Sequence, residues 1–182
     1  MREIVLPAPR AALASLTAGD EVVLTGTAFA ARDATHARIL EALERDGALP
    51  FGLEGATLFY AGPTPPRAGR PAGAIGPTTA KRMDAWTPAL LEAGIVATIG
   101  KGARSAAVAA ACAATGSVYF AAVGGAAALL ARHVTEMAPV AWPELGTEAL
   151  VRVTLDRLPV FVAIDATGRD LYAEAPLEWR RP

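Results

Sequence analysis

Cysteine is almost missing from this 182-residue chain, where Cys112 stands alone. A single thiol excludes an internal disulfide, and by itself it cannot hold a structural zinc or an iron–sulfur cluster. Cys112 sits in an alanine run, Ala109 to Ala114, and reads as a small buried hydrophobe in a reducing, cytoplasmic setting. Lysine is scarce as well: only Lys81 and Lys101 are present, so each is easy to single out. A charge excess is also lacking. The net charge of −1 gives no electrostatic case for nucleic acid or an anionic membrane. His36 and His133 are the only histidines, and their separation fits no metal-ligand spacing. No Gly-x-Ser-x-Gly elbow and no Gly-x-Gly-x-x-Gly fingerprint occurs. Gly100-Lys101-Gly102 fails as a phosphate loop, because Gly94 lies one residue too far back and Gly102 replaces the required hydroxyl. The first residues, Met1 to Pro7, lack a long apolar stretch, so no signal peptide is expected.

Hydrophobic residues make up 53% of the chain and charged residues 19%, enough for one domain with a sizeable core. Ser105 to Ala131 is 27 residues without a charge, a length that could span a bilayer. Thr115-Gly116-Ser117 and Gly124-Gly125 break it into helix, strand and helix, which favours a buried interior. Elsewhere strands are expected at Glu21–Gly26, Thr57–Ala61, Ile95–Ile99, Val140–Trp142 and Leu158–Asp165. Helices are expected at Ala34–Arg45 and from Gly76-Pro77 through Glu92, with Pro88 kinking or dividing the latter. A long Pro/Gly-rich loop runs from Gly62 to Pro77. Residues 1–182 read as one domain, with about 173–182 as a tail. Strand, glycine turn and helix alternate, which argues for an α/β domain with a partly parallel sheet.

Ligands in such sheets gather at the carboxyl ends of strands. Three glycine-marked strand ends are available there: Gly76-Pro77, Gly100-Lys101-Gly102 and Gly124-Gly125. After the first come Thr78, Thr79, Lys81 and Arg82, two hydroxyls and two cations at an expected helix start. Either this is an ordinary capped helix or an anion site with a hydroxyl able to move protons. Arg32, Asp33 and His36 form a second group. They read either as an anion-gripping arginine oriented by a carboxylate, with His36 carrying protons or orienting, or as a solvated helix cap.

Seven blocks resemble a known family in order. They are Thr25-Gly-Thr-Ala-Phe-Ala-Ala-Arg-Asp-Ala-Thr-His, Phe59-Tyr-Ala-Gly-Pro-Thr-Pro, Gly76-Pro-Thr-Thr-Ala-Lys-Arg-Met-Asp, Ile99-Gly-Lys-Gly, Tyr119-Phe-Ala-Ala-Val-Gly-Gly-Ala-Ala-Ala-Leu-Leu-Ala, Glu144-Leu-Gly-Thr-Glu-Ala and Val162-Ala-Ile-Asp. Together they resemble the β subunit of class I, iron–sulfur-dependent fumarate hydratase and of L-tartrate dehydratase, from about Leu16 to Tyr172. The resemblance implies a swivelling β/β/α domain that pairs with an α subunit. That partner would carry a 4Fe–4S cluster, whose open iron is a Lewis acid. Metal ligands are then not expected on this chain. The resemblance also implies reversible hydration of fumarate to malate or a close dicarboxylate, in an α2β2 type of assembly. It gives Thr78 as base, Arg32 and Arg82 as substrate- and base-activating arginines, and His36 as an active-site histidine. Lys101 is implied as a carboxylate ligand, with Asp33, Gly76 and Thr79 beside it at the substrate. Tartrate and mesaconate remain open as substrates, and so does a non-catalytic dicarboxylate-binding or assembly module.

Overall fold

The computed structural model describes residues 1–66 and 68–180. Seven strands form one mixed sheet: β1 (Arg2–Leu6), β2 (Glu21–Ala30), β3 (Thr57–Phe59), β4 (Ala97–Gly100), β5 (Val118–Ala121), β6 (Val134–Ala141) and β7 (Leu150–Ile164). Strands β2, β3, β4 and β5 run parallel in that order. The long β7 pairs antiparallel with β5 at one end of this row and with β2 at the other, closing a five-stranded barrel. Strands β1 and β6 lie outside it, on β2 and β7.

Alternating side chains sort the core into two layers, as the period of a strand requires. Leu24, Phe59, Ile99, Phe120 and Val153 fill the barrel. Their neighbours Leu58 and Tyr119 face the helices, where they meet Ile39, Leu90 and Val108. Strand β7 lines the barrel with Val153 and Leu155, then with Leu158, Val160 and Val162. The switch from odd to even positions needs one extra residue. A register shift against β2 supplies it, and Arg157 there has φ of +52°.

The helices are α1 (Arg10–Leu13), α2 (Asp33–Asp46), α3 (Thr87–Glu92), α4 (Ala106–Thr115), α5 (Ala127–Leu130) and α6 (Leu171–Glu178). The uncharged stretch divides into α4, β5 and α5 as its glycines predict. No described helix is long and apolar enough to cross a membrane.

Four sequence expectations change. No continuous helix runs from Gly76 to Glu92; a short 3-10 turn, Ala80–Met83, precedes α3. Pro88 falls in the first turn of α3, where a missing N–H costs nothing, and so makes no kink. The expected short strand at Val140 is the end of the eight-residue β6. Most of the expected tail belongs to α6, whose first turn is capped by Asp170 accepting the Tyr172 N–H at 2.9 Å. Residues 181–182 lie outside the described residues.

Candidate active site

The carboxyl ends of the parallel strands are laced together by backbone bonds. Ala31 N–H donates to the Phe59 carbonyl at 3.0 Å, Tyr60 N–H to that of Ile99 at 2.8 Å, and Ala122 N–H to that of Gly100 at 2.8 Å. The segment after Gly76 is drawn into this rim. Pro77 bridges Ala61, and Thr78 N–H donates to the Tyr60 carbonyl at 2.7 Å. Lys101 N–H then donates to Thr78 at 3.1 Å, and Ala80 N–H to Lys101 at 2.9 Å. This sheet-like pairing replaces the helix start expected at Gly76-Pro77. The 3-10 turn that follows has Thr79 at its N-cap with no side-chain cap bond.

The three glycine turns do lie side by side. Gly76 packs on Ala127, where a Cβ would stand 2.7 Å from the alanine methyl. Gly124 underlies the stem of Lys101, and a Cβ there would stand 2.6 Å from Lys101 Cδ. Lys101 has no acidic partner among the described residues. Thr78 is half-buried and makes no side-chain hydrogen bond among the described residues, and Thr79 is exposed. A cation and a hydroxyl without internal partners are thus presented on one rim, which suits an anionic ligand.

Arg32, Asp33 and Arg82 lie beside it in two separate ion pairs, one of them to Glu148. Arg32 stands at the N-cap position of α2, makes no cap bond with its side chain, and pairs with Glu148 at 3.3 Å. The second oxygen of Glu148 accepts the Ala34 N–H at 2.9 Å, and the Thr35 hydroxyl donates to the Glu148 carbonyl. One carboxylate therefore caps α2 and holds Arg32 at once. Gly62 makes room for the arginine, since a Cβ there would lie 2.9 Å from Arg32 Cδ. Arg82 crosses from the 3-10 turn to donate from Nε to Asp33 Oδ1 at 2.9 Å. Glu148 is the residue that sequence reasoning missed. It lies within the quoted block Glu144 to Ala149, but a partner 116 positions from Arg32 leaves no local signal.

His36 sits one turn along α2 and is fully buried. Its Nδ1 lies 2.8 Å from the Arg32 carbonyl, its ring meets Tyr60 edge-on at 5.0 Å, and Trp86 is 6.1 Å away. Burial lowers its pKa to about 4, with the Arg104 charge adding to the effect, so the ring is neutral at pH 7. A carbonyl can only accept, so Nδ1 carries the proton and Nε2 is a bare acceptor. Nε2 of His36, Nε of Arg32 and Oδ2 of Asp33 are buried without a partner among the described residues. Such atoms cost about 1–3 kcal/mol each when left unmet.

A metal cluster does not fit this chain's own residues. No three His, Cys, Asp or Glu side chains among the described residues are grouped to hold a metal. Cys112 is buried behind the sheet, and burial pushes its thiol up to about 12, away from the thiolate a cluster needs.

Comparison with known proteins adds names to this geometry. A family described as "Fumarase C-terminus" matches residues 1–175. Fumarate hydratase 2 of Leishmania major is 36% identical over 167 residues, 91% of this chain and 29% of that protein. The anaerobic class I fumarate hydratase of Escherichia coli (strain K12) is 37% identical over 153 residues, 83% of this chain and 28% of that protein. The L(+)-tartrate dehydratase subunit beta of Shigella boydii serotype 4 (strain Sb227) is 32% identical over 167 residues, 89% of this chain and 82% of that subunit. The chain thus spans under a third of the two fumarate hydratases and most of the tartrate dehydratase subunit.

Proposed function

We infer the function from one premise: this chain belongs to the fumarase C-terminus family. Its relatives are named for adding water to fumarate or removing it from tartrate, so the family is one of hydro-lyases. We assign the chain the role of β subunit in such an enzyme, hydrating fumarate to malate or acting on a close dicarboxylate. The 4Fe–4S cluster of the class I type belongs, in this reading, to a separate α partner, because no group of the described residues suits it. The swivelling arrangement and the α2β2 assembly are part of the same proposal. The observation that carries it is the shared rim, which brings Lys101, without an acidic partner among the described residues, and the Thr78 hydroxyl together beside the Arg32–Glu148 and Arg82–Asp33 pairs.

The roles follow from chemistry. Lys101 and Arg32 are cations suited to the two carboxylates of the substrate. Thr78 holds the moving proton: its oxygen gives a proton to one alkene carbon in hydration and takes it back in reverse. A free threonine hydroxyl is far too weak an acid for that, so its charged form needs stabilisation. Arg82, four positions along the chain, is the cation assigned to that task. Its Nε is spent on Asp33, which leaves its terminal nitrogens for the site. His36 acts as an orienting group, fixing the Arg32 carbonyl from below, because a buried ring with so low a pKa is a poor proton carrier at pH 7. Asp33, Gly76 and Thr79 shape the rim around the substrate.

Reconstitution with a cysteine-bearing α partner under anaerobic conditions tests this reading. Fumarate consumption, followed by absorbance, should require both chains. Thr78→Ala and Arg82→Ala should each cut turnover by about a thousandfold without unfolding the chain. Near-normal rates in those variants refute the assigned roles.

A further inference from the structure

Behind the rim lies a buried polar cluster that the proposed chemistry does not use. Arg104 has a fully buried side chain. Its Nε donates to Asp84 Oδ1 at 2.6 Å, and its terminal nitrogens reach Thr87 Oγ1 at 2.7 Å and Thr98 Oγ1 at 3.4 Å. The guanidinium is flanked by the rings of Tyr60 at 5.2 Å and Tyr119 at 4.9 Å. The second oxygen of Asp84 accepts the Ser105 N–H at 2.6 Å. Tyr119 donates its hydroxyl to the Gly102 carbonyl at 2.8 Å.

Those partners map onto the segments that carry the rim. Asp84 follows Arg82 by two residues, at the end of the 3-10 turn. Ser105 and Gly102 bound the loop after Lys101. Tyr60 accepts the Thr78 N–H through its carbonyl. Thr98 lies on β4, three residues before Lys101. A buried ion pair is a poor source of net stability, since apolar side chains of similar volume serve as well. Directional bonds to Thr87, Thr98 and Ser105 are what apolar side chains cannot supply.

We propose that Asp84 and Arg104 are positioning residues, a clasp that fixes the Thr78–Arg82 segment against the Lys101 loop. The proton-moving hydroxyl and the carboxylate-binding ammonium then keep one separation through turnover. This rests on the function proposed above, and two readouts keep the ideas apart. The Ala80 and Lys101 amides bridge the two segments directly, so their hydrogen exchange reports the clasp without any activity. Asp84→Asn keeps the shape but loses the charge. Arg104→Lys keeps the charge but loses the fork that reaches Thr87 and Thr98.

In the full chain, both variants should speed exchange at Ala80 and Lys101 by about tenfold or more, with the β2 and β7 amides unchanged. In the reconstituted enzyme kcat should fall about 10- to 100-fold while KM changes by less than about threefold, since a small misplacement of the reacting group is felt in the transition state. Unchanged exchange at both amides overturns the clasp. Acceleration spread equally over β2 and β7 also overturns it, because that marks general destabilisation. Local acceleration with undiminished kcat overturns the positioning role. If the unsubstituted pair of chains shows no hydratase activity, the functional reading falls, and the clasp stands or falls on exchange alone.

Discussion

Glu148→Ala removes two contacts with one substitution, and its cost follows from the geometry. The carboxylate caps α2 through the Ala34 N–H at 2.9 Å, a bond whose loss at a helix start costs about 1 kcal/mol. It also pairs with Arg32 at 3.3 Å, where both side chains keep roughly a fifth to a quarter of their exposure (22% and 24%). A pair so placed adds about 0.5–1 kcal/mol after allowance for solvent screening. The sum, about 1.5–2 kcal/mol, lowers the melting temperature of a domain this size by about 3–8 °C. Circular dichroism on heating measures it. Glu148→Gln separates the two effects, since its amide oxygen still accepts from Ala34 while the charge opposite Arg32 is gone. It should recover most of the melting temperature, yet leave Arg32 free to swing and raise KM for the dicarboxylate about tenfold. A melting temperature for Glu148→Ala within 1 °C of the parent would show that the cap and the pair contribute nothing, and the reasoning fails.

Two further outcomes follow from single side chains. Because His36 is held neutral in the fold, with a pKa near 4 against about 6.5 unfolded, the unfolded chain binds the extra proton first. Stability should therefore be intact above pH 6.5 and decline as pH falls towards 4, by at most about 3 kcal/mol. Denaturant melts across that range check it, and in His36→Gln this component of the slope should vanish. Gly124→Ala places a methyl against the flexible stem of Lys101, not against backbone. The melting temperature should move little, while displacement of the ammonium should raise KM several-fold with kcat nearly intact, as steady-state kinetics would show.

Much of the α/β character is legible in the chain because its punctuation is local. Glycines after Ile99 and Val123 end strands visibly, and the helical spacing of Ile39, Leu40 and Leu43 marks α2. Barrel closure is not legible, because β2 and β7 meet across more than a hundred residues and neither announces its partner. The first half of β7 is hidden by its own bulge: Asp156 and Arg157 interrupt the two-residue period, so only Leu158 onward reads as a strand. Thr78 to Ala80 look like the opening of a helix, yet tertiary pairing with Tyr60 and Lys101 claims their backbone. The site residues stand out by chemical type, Arg32 and Lys101 above all. What ties them together, Glu148 and Arg104 included, is long-range and has no spacing to betray it.

The extra residue at Arg157 makes β7 two half-strands in opposite phase, both facing the same interior. Such a strand depends on the joint holding its extra residue out of the pleat. Were it ironed out into a regular pleat, Leu158, Val160 and Val162 would turn outward and Pro159 and Phe161 inward, everting one wall of the cylinder. The inventory of side chains would hardly change, but the container they fill would no longer exist.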